Sequence, residues 1–274
     1  MAYRLIAADL DGTLRAEQQP FTPRVRMAVQ RAQARGVRIV MATGRMFRTA
    51  EPYARDLGLI DPIICDHGAT IRDLLTGELL FEQNVPREFV PRLAARKPEH
   101  GTLVVCQAEE FYVSELTEDA IRFVGLYREH LHAVPELTAL PGEPQKIVFI
   151  HPPAITDRLF VELARLFGRE LQVVQSFERY VEVTHRAVSK GNAVEWLARR
   201  WEIAPASVIA MGDQDNDRSM IEWAGLGVAM GNAVESVKAI ADFIAPSAAD
   251  DGVADVIEKF VLDTHDTNPN SSSR

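Results

Sequence analysis

The chain is short of the residues that build disulfide frameworks and soft-metal centres. It holds two cysteines, Cys65 and Cys106, and neither stands in a CxxC pair. That excludes a cysteine-stapled scaffold and a cysteine-rich zinc site, and makes a reducing cytoplasm the expected location. No apolar run approaches the ~20 residues of a membrane helix, so no membrane partner is expected. Met1–Leu10 carries Arg4 and Asp9 and is too short and too charged for a secretory leader. Basic excess is missing too: 30 Lys and Arg face 39 Asp and Glu, a net charge of −9. This argues against a nucleic-acid partner. A small anionic substrate stays open, because a local cation can override the global sign. There is no Walker A sequence, Gly225-Leu226-Gly227 lacks the dinucleotide-binding spacing, and no GxSxG elbow appears.

What is present begins at Arg4–Leu14, RLIAADLDGTL, an apolar run that breaks onto Asp9, Asp11 and a Gly12-Thr13 turn. Short apolar runs bounded by turn residues read as buried parallel strands. Thr22-Pro23 starts a helix as N-cap and first-turn proline, and Gly36 ends it. Val37–Ala42 is a second strand ending on Thr43-Gly44-Arg45. A helix over Met46–Leu57 follows, then a short strand Pro62–Cys65 ending on Asp66-His67-Gly68. This alternation is the crossover pattern of a parallel α/β sheet. Ala69–Gln83 reads as a hairpin around Thr76-Gly77.

Strands then crowd together: Leu103–Cys106, Phe111–Val113, Lys146–His151, Leu171–Gln175 and Tyr180–Val183, with helices over Arg87–Arg96, Glu118–His130 and Ile155–Phe167. Their order predicts an α+β unit with an antiparallel sheet. The alternating pattern resumes with a helix at Lys190–Arg200 and a strand Val208–Met211 ending on Gly212-Asp213. The expected organisation is therefore a core domain from 1–83 and 187–262, an inserted domain at 84–186, and a polar, disordered tail at 263–274.

In an open α/β sheet, ligands bind outside the carboxyl ends of the strands. Asp9, Asp11, Thr43 and Asp213 sit at three such ends, Asn216 and Asp217 follow the last, and Lys190 opens the helix entering it. Converging carboxylates against one lysine need a cation, since desolvating an unneutralised charge costs several kcal/mol. All-oxygen ligands point to a hard ion such as Mg²⁺. A calcium loop is excluded by spacing: from Asp9 the sixth position is Leu14, and from Asp213 the sixth is Arg218 and the twelfth Ala224.

Asp9-x-Asp11-Gly12-Thr13, Thr43-Gly44-Arg45, Ser189-Lys190-Gly191 and Gly212-Asp213-x-x-Asn216-Asp217 together resemble the four motifs of the haloacid-dehalogenase-like (HAD) phosphohydrolases. The resemblance spans nearly all of residues 1–262. The long interval between Thr43 and Lys190, with SKGNAVEWL and GVAMGNA, is similar to the Cof-type subfamily, whose α+β cap follows the third strand. It implies a Rossmann-like parallel-sheet core with an inserted cap, and Mg²⁺-dependent hydrolysis of a small phosphorylated metabolite, a sugar phosphate above all. By the same resemblance Asp9 is the nucleophile and Asp11 the general acid and base. Asp9, Asp213 and the Asp11 carbonyl hold the metal; Thr43, Gly44 and Lys190 hold the phosphoryl group; Asn216 and Asp217 orient Lys190 and metal-bound waters. A carboxylate at Asp11 disfavours dehalogenation, because halide leaves without a proton. The alternatives are a phosphomutase, a dedicated mannosyl-3-phosphoglycerate or sucrose-phosphate phosphatase, and a non-catalytic metal- or phosphate-binding regulator. One departure stands out: His67 occupies a third-strand position that is usually Asn in the subfamily. Arg45, His67, Glu182, His185 and Arg186 are candidate substrate contacts, each read first as a docking, surface or turn-capping residue.

Overall fold

A computed structural model describes residues 3–263; the expected disordered tail lies outside them but for Asp263. Five parallel strands form the first sheet, in the order Phe243–Ile244, Leu226–Ala229, Val208–Gly212, Leu5–Ala8 and Arg38–Met41. Leu5–Ala8 lies between two neighbours, Val208–Gly212 and Arg38–Met41, and is buried on both faces, as a continuous apolar run in a helix-covered sheet requires. Its register pairs Leu5 with both Val208 and Arg38, so three adjacent strands end at one level. The connecting helices are locally encoded. Thr22 accepts the Val25 N–H ahead of Pro23–Ala34, Gly58 closes Phe47–Leu57 in the left-handed region, and Ser189 accepts the Asn192 N–H ahead of Lys190–Arg200.

The strand Ile63–Cys65 joins this sheet only by the Ala42–Ile64 bridge; it heads an antiparallel sheet with Thr70–Arg72 and Leu79–Glu82. The third sheet has six strands, ordered Leu171–Phe177, Tyr180–His185, Lys146–Ile150, Thr102–Gln107, Glu110–Val113 and Leu131–Ala133. All its pairings are antiparallel except the last. Period-2 alternation splits it cleanly. Ile147, Phe149, Val181 and Val183 pack under the helices Phe89–Ala94 and Pro153–Phe167. Val148 and Ile150 pack on the opposite face with Phe111, Val124 and Met46, the last belonging to the loop after Thr43.

One expected element is shorter, and one strand was not expected. The helix over Glu118–His130 stops at Val124, because Gly125 takes φ 57° and turns the chain away. A short 3₁₀ turn at Arg128–His130 then leads into Leu131–Ala133, a strand absent from the sequence reading, which pairs with Glu110–Val113.

Candidate active site

Asp9 follows the strand Leu5–Ala8 and its N–H bonds the Met211 carbonyl at 3.0 Å, so the loop stays in register with the neighbouring strand end. Asp9 Oδ1 lies 2.5 Å from Lys190 Nζ, and Asp217 Oδ1 lies 2.6 Å from the same nitrogen. Lys190 is completely buried. The second oxygen of Asp217 accepts the backbone N–H groups of Asp213 and Gln214, at 2.9 and 3.0 Å. Asp217 thus fixes both the ammonium and the loop that carries Asp213. Asp213 accepts from the Thr13 hydroxyl at 3.1 Å and from Gln214 Nε2 at 3.0 Å. Gly12 sits at φ 87°, and a Cβ there would come within 2.5 Å of Asp213 Oδ2, so only glycine lets the two loops meet.

The electrostatics follow from this packing. Oxygens of Asp9, Asp213 and Asp217 lie within 4.8 Å of one another, against one ammonium. Burial, with Asp217 and Asp213 close by, pushes the Asp9 carboxyl well up despite Lys190. Burial and the Asp217 charge push Asp213 up to about 6. Lys190 is raised, because two carboxylates outweigh its desolvation. Three buried acids and one base leave an excess of negative charge that a hard divalent cation at Asp9 and Asp213 would neutralise, and the donors are all oxygen.

Asp11 is paired with two guanidinium groups. Arg45 Nε lies 2.6 Å from its Oδ2, and Arg15 Nη2 lies 2.7 Å from its Oδ1. Burial would raise Asp11, but these two guanidinium groups hold it below the usual carboxylate range. At rest Asp11 is therefore an ionised base. Thr43 is buried, its N–H bonds the Ile64 carbonyl, and its hydroxyl accepts the Arg45 N–H at 3.2 Å.

A cavity of about 360 Å³ opens over Asp9, Asp11, Thr43 and Gly44. Of the candidate contacts, Arg45, His67 and Glu182 line it, whereas His185 and Arg186 do not. His185 accepts the Ala187 N–H in a turn. Arg186 is drawn to the Gly168 and Arg169 carbonyls, the electronegative end of the Pro153–Phe167 helix. Asn216 also departs from expectation: its side chain meets His67 Nδ1 at 3.1 Å, not Lys190.

The sequence reading missed four participants. Lys146, buried and lining the cavity, donates to the Gly44 carbonyl at 2.7 Å and lies 2.8 Å from Glu182 Oε2. His67 Nε2 reaches the same carboxylate oxygen at 3.2 Å. Despite burial, Lys146 and His67 hold Glu182 far below the usual carboxylate range. A lysine opening the apolar run KIVFI was the available signal. Asn232, inside GVAMGNA, ties the Gly12 carbonyl to the Ala248 N–H. Thr13 and Tyr53 complete the set, at Asp213 and on the cavity wall.

Residues 6–257 match the family model described as haloacid dehalogenase-like hydrolase. The YxeH protein of Bacillus subtilis is 34% identical over 271 residues, covering 95% of this chain and 99% of that protein. From the same organism, the 5-amino-6-(5-phospho-D-ribitylamino)uracil phosphatase YcsE is 30% identical, covering 94% and 96%. A haloacid dehalogenase-like hydrolase from Bacteroides thetaiotaomicron, solved by crystallography, superposes with a TM-score of 0.82 at 30% identity, covering 94% of this chain and 99% of that one.

Proposed function

The chain belongs to the haloacid dehalogenase-like hydrolase family, and from that membership and its site we propose that it is a Mg²⁺-dependent phosphatase of a small phosphorylated metabolite. The observation that carries the reading is the buried Asp9–Lys190–Asp217 chain beside Asp213, open to a cavity at the strand ends. YcsE, by its name, removes phosphate from a small phosphorylated compound, and a sugar phosphate is the class of such substrate that the motif resemblance implies. Residues 84–186 act in this reading as a cap over a core built from 1–83 and 187–262.

Asp9 Oδ attacks phosphorus in line, the ester oxygen leaves, and an aspartyl-phosphate forms on Asp9. Lys190 and Thr43, with Gly44 beside them, hold phosphoryl oxygens. Lys190 offsets part of the burial that pushes the Asp9 carboxyl up and aims it at phosphorus, and Asp217 keeps Lys190 in place. Asp11, the expected acid, is held by Arg45 and Arg15 at rest. An arriving phosphate dianion draws Arg45 away, which raises Asp11 so that it takes up a proton from solvent, gives that proton to the leaving oxygen and, ionised again, takes one from the attacking water. Asp9, Asp213 and the Asp11 carbonyl would hold Mg²⁺, which supplies charge neutralisation for phosphoryl transfer.

Phosphate release from a panel of phosphorylated sugars, nucleotides and cofactors, with and without Mg²⁺, tests the reading. Asp9→Asn should lower turnover at least about a thousandfold while leaving the circular-dichroism spectrum unchanged. Wild-type activity in that variant would remove Asp9 as nucleophile.

A further inference from the structure

The lining of the cavity over Asp9 has a polar part and an aromatic part. The polar part is Glu182, Lys146, His67, Ser176 and Asn216, side chains that have closed on one another. Glu182 Oε1 takes the Ser176 hydroxyl at 2.5 Å, and Oε2 faces Lys146 at 2.8 Å and His67 at 3.2 Å. Lys146 spends a further donor on the Gly44 carbonyl, and the second His67 nitrogen meets Asn216. A polyol placed here would have to break these contacts to satisfy its hydroxyls, leaving a buried Glu–Lys pair short of partners.

The other part is aromatic. Aromatic residues make up 7% of the chain, and it has five tyrosines. Three of them, Tyr53, Tyr127 and Tyr180, line this cavity, together with Phe111 and Phe123. Phe123 meets Phe111 edge-on at 6.0 Å and Tyr180 at 5.4 Å, so the rings form one connected surface. That surface continues the apolar face of the six-stranded sheet, where Val124 and Met46 lie, toward the phosphoryl site. Phe123 and Tyr127 are half-buried, in contact with the open space rather than sealed beneath it.

We propose that the alcohol released by this site carries a planar, sparsely hydroxylated ring, so that the substrate is an aryl- or heteroaryl-methyl phosphate rather than a polyol phosphate. The ring lies against the Phe123–Tyr127 wall while its phosphoryl group reaches Asp9. The ester P–O bond breaks, the ring's methylene alcohol leaves with a proton from Asp11, and water returns the phosphoryl group from Asp9 as inorganic phosphate. The proposal rests on the phosphatase reading for its chemistry, but the wall's preference for a ring can be measured without turnover.

Two esters of primary alcohols, benzyl phosphate and glucose 6-phosphate, separate the classes. Calorimetric titration of the Asp9→Asn protein with Mg²⁺ should show benzyl phosphate binding at least about tenfold more tightly. Phe123→Ala and, separately, Tyr127→Ala in that background should weaken benzyl phosphate about tenfold and glucose 6-phosphate less than about threefold. Equal or tighter binding of glucose 6-phosphate, or the same loss for both ligands in both variants, overturns the proposal. Wild-type turnover is then read separately. Ring preference in binding with no hydrolysis of either ester counts against the phosphatase reading and leaves the wall's specificity standing. Hydrolysis with the sugar ester preferred sinks the proposal alone.

Discussion

Lys190 is the residue on which the charge balance of the site turns, since it is the only ammonium in contact with Asp9 and Asp217 among the described residues. With Asp213 pushed up to about 6, the folded protein binds a proton there more readily than the unfolded chain, whose carboxyl titrates near 3.8. In chelator, wild type should therefore gain stability relative to Asp213→Asn as pH falls through 6. The gain is complete below the unfolded value and disappears as pH rises past 6. Thermal denaturation of both proteins across that range checks the sign. Adding Mg²⁺ at pH 7.5 should raise the wild-type Tm and leave that of Asp213→Asn nearly unmoved. Lys146 makes a second charge test. Lys146→Met strands Glu182 in the interior, with His67 and Ser176 as its remaining partners, and frees the Gly44 carbonyl. It should cost about 3–5 kcal/mol in urea unfolding. Asp9, Asp11, Thr43, Lys190 and Asp213 could be read in advance, because each is a polar group abruptly ending an apolar run or opening a helix. The pairing of Lys146 with Glu182 could not. Lys146 opens a strand and Glu182 lies inside one, and nothing local says that the alternation turns the two toward each other and toward another sheet.

At the scale of elements, one close approach decides what the strand Thr102–Gln107 tolerates at its start. Gly101 precedes Thr102–Gln107, and a Cβ there would run into the imidazole of His151. Gly101→Ala should destabilise by about 1–3 kcal/mol, read from the denaturation midpoint at unchanged m-value. His151 itself is buried, and neither ring nitrogen has a hydrogen-bond partner among the described residues. Burial, with Lys97 nearby, pushes its pKa below the ordinary 6.5, so the unfolded chain takes up the proton first. Wild type should lose stability relative to His151→Leu as pH falls below 6.5. An unchanged difference between pH 8 and pH 5 would refute that assignment. Most element boundaries follow from caps and periodicity, as at Thr22-Pro23, Gly58 and Ser189. The exception at Glu118–His130 is physical. Helical spacing of apolar residues continues past Gly125, but the chain reverses there and the continuation pairs as Leu131–Ala133. A parallel pairing between segments separated by a helix leaves no local signature.

For the whole molecule, the parallel sheet and the six-stranded sheet meet at the cavity over Asp9 through side chains rather than through shared strands. Lys146 reaches the Gly44 carbonyl, Glu182 reaches His67, and Met46 enters the apolar face of the six-stranded sheet. Such contacts join residues far apart in sequence. The parallel core and the motif residues at its edge were therefore legible in the sequence, while the aromatic wall and the Lys146–Glu182–His67 link were not. His67 carries one end of that link. His67→Asn keeps an amide beside Asn216 but cannot span to Glu182. It should lower kcat several-fold with little change in the binding of inorganic phosphate, as expected of a positioning residue. The central claim is that Asp9 takes the phosphoryl group. Wild-type enzyme mixed with substrate and Mg²⁺, quenched in acid within one turnover and digested, should yield a peptide carrying one added phosphoryl group on Asp9, absent from Asp9→Asn. A turning-over enzyme with no adduct there, or with the phosphoryl group on another residue, would contradict the account.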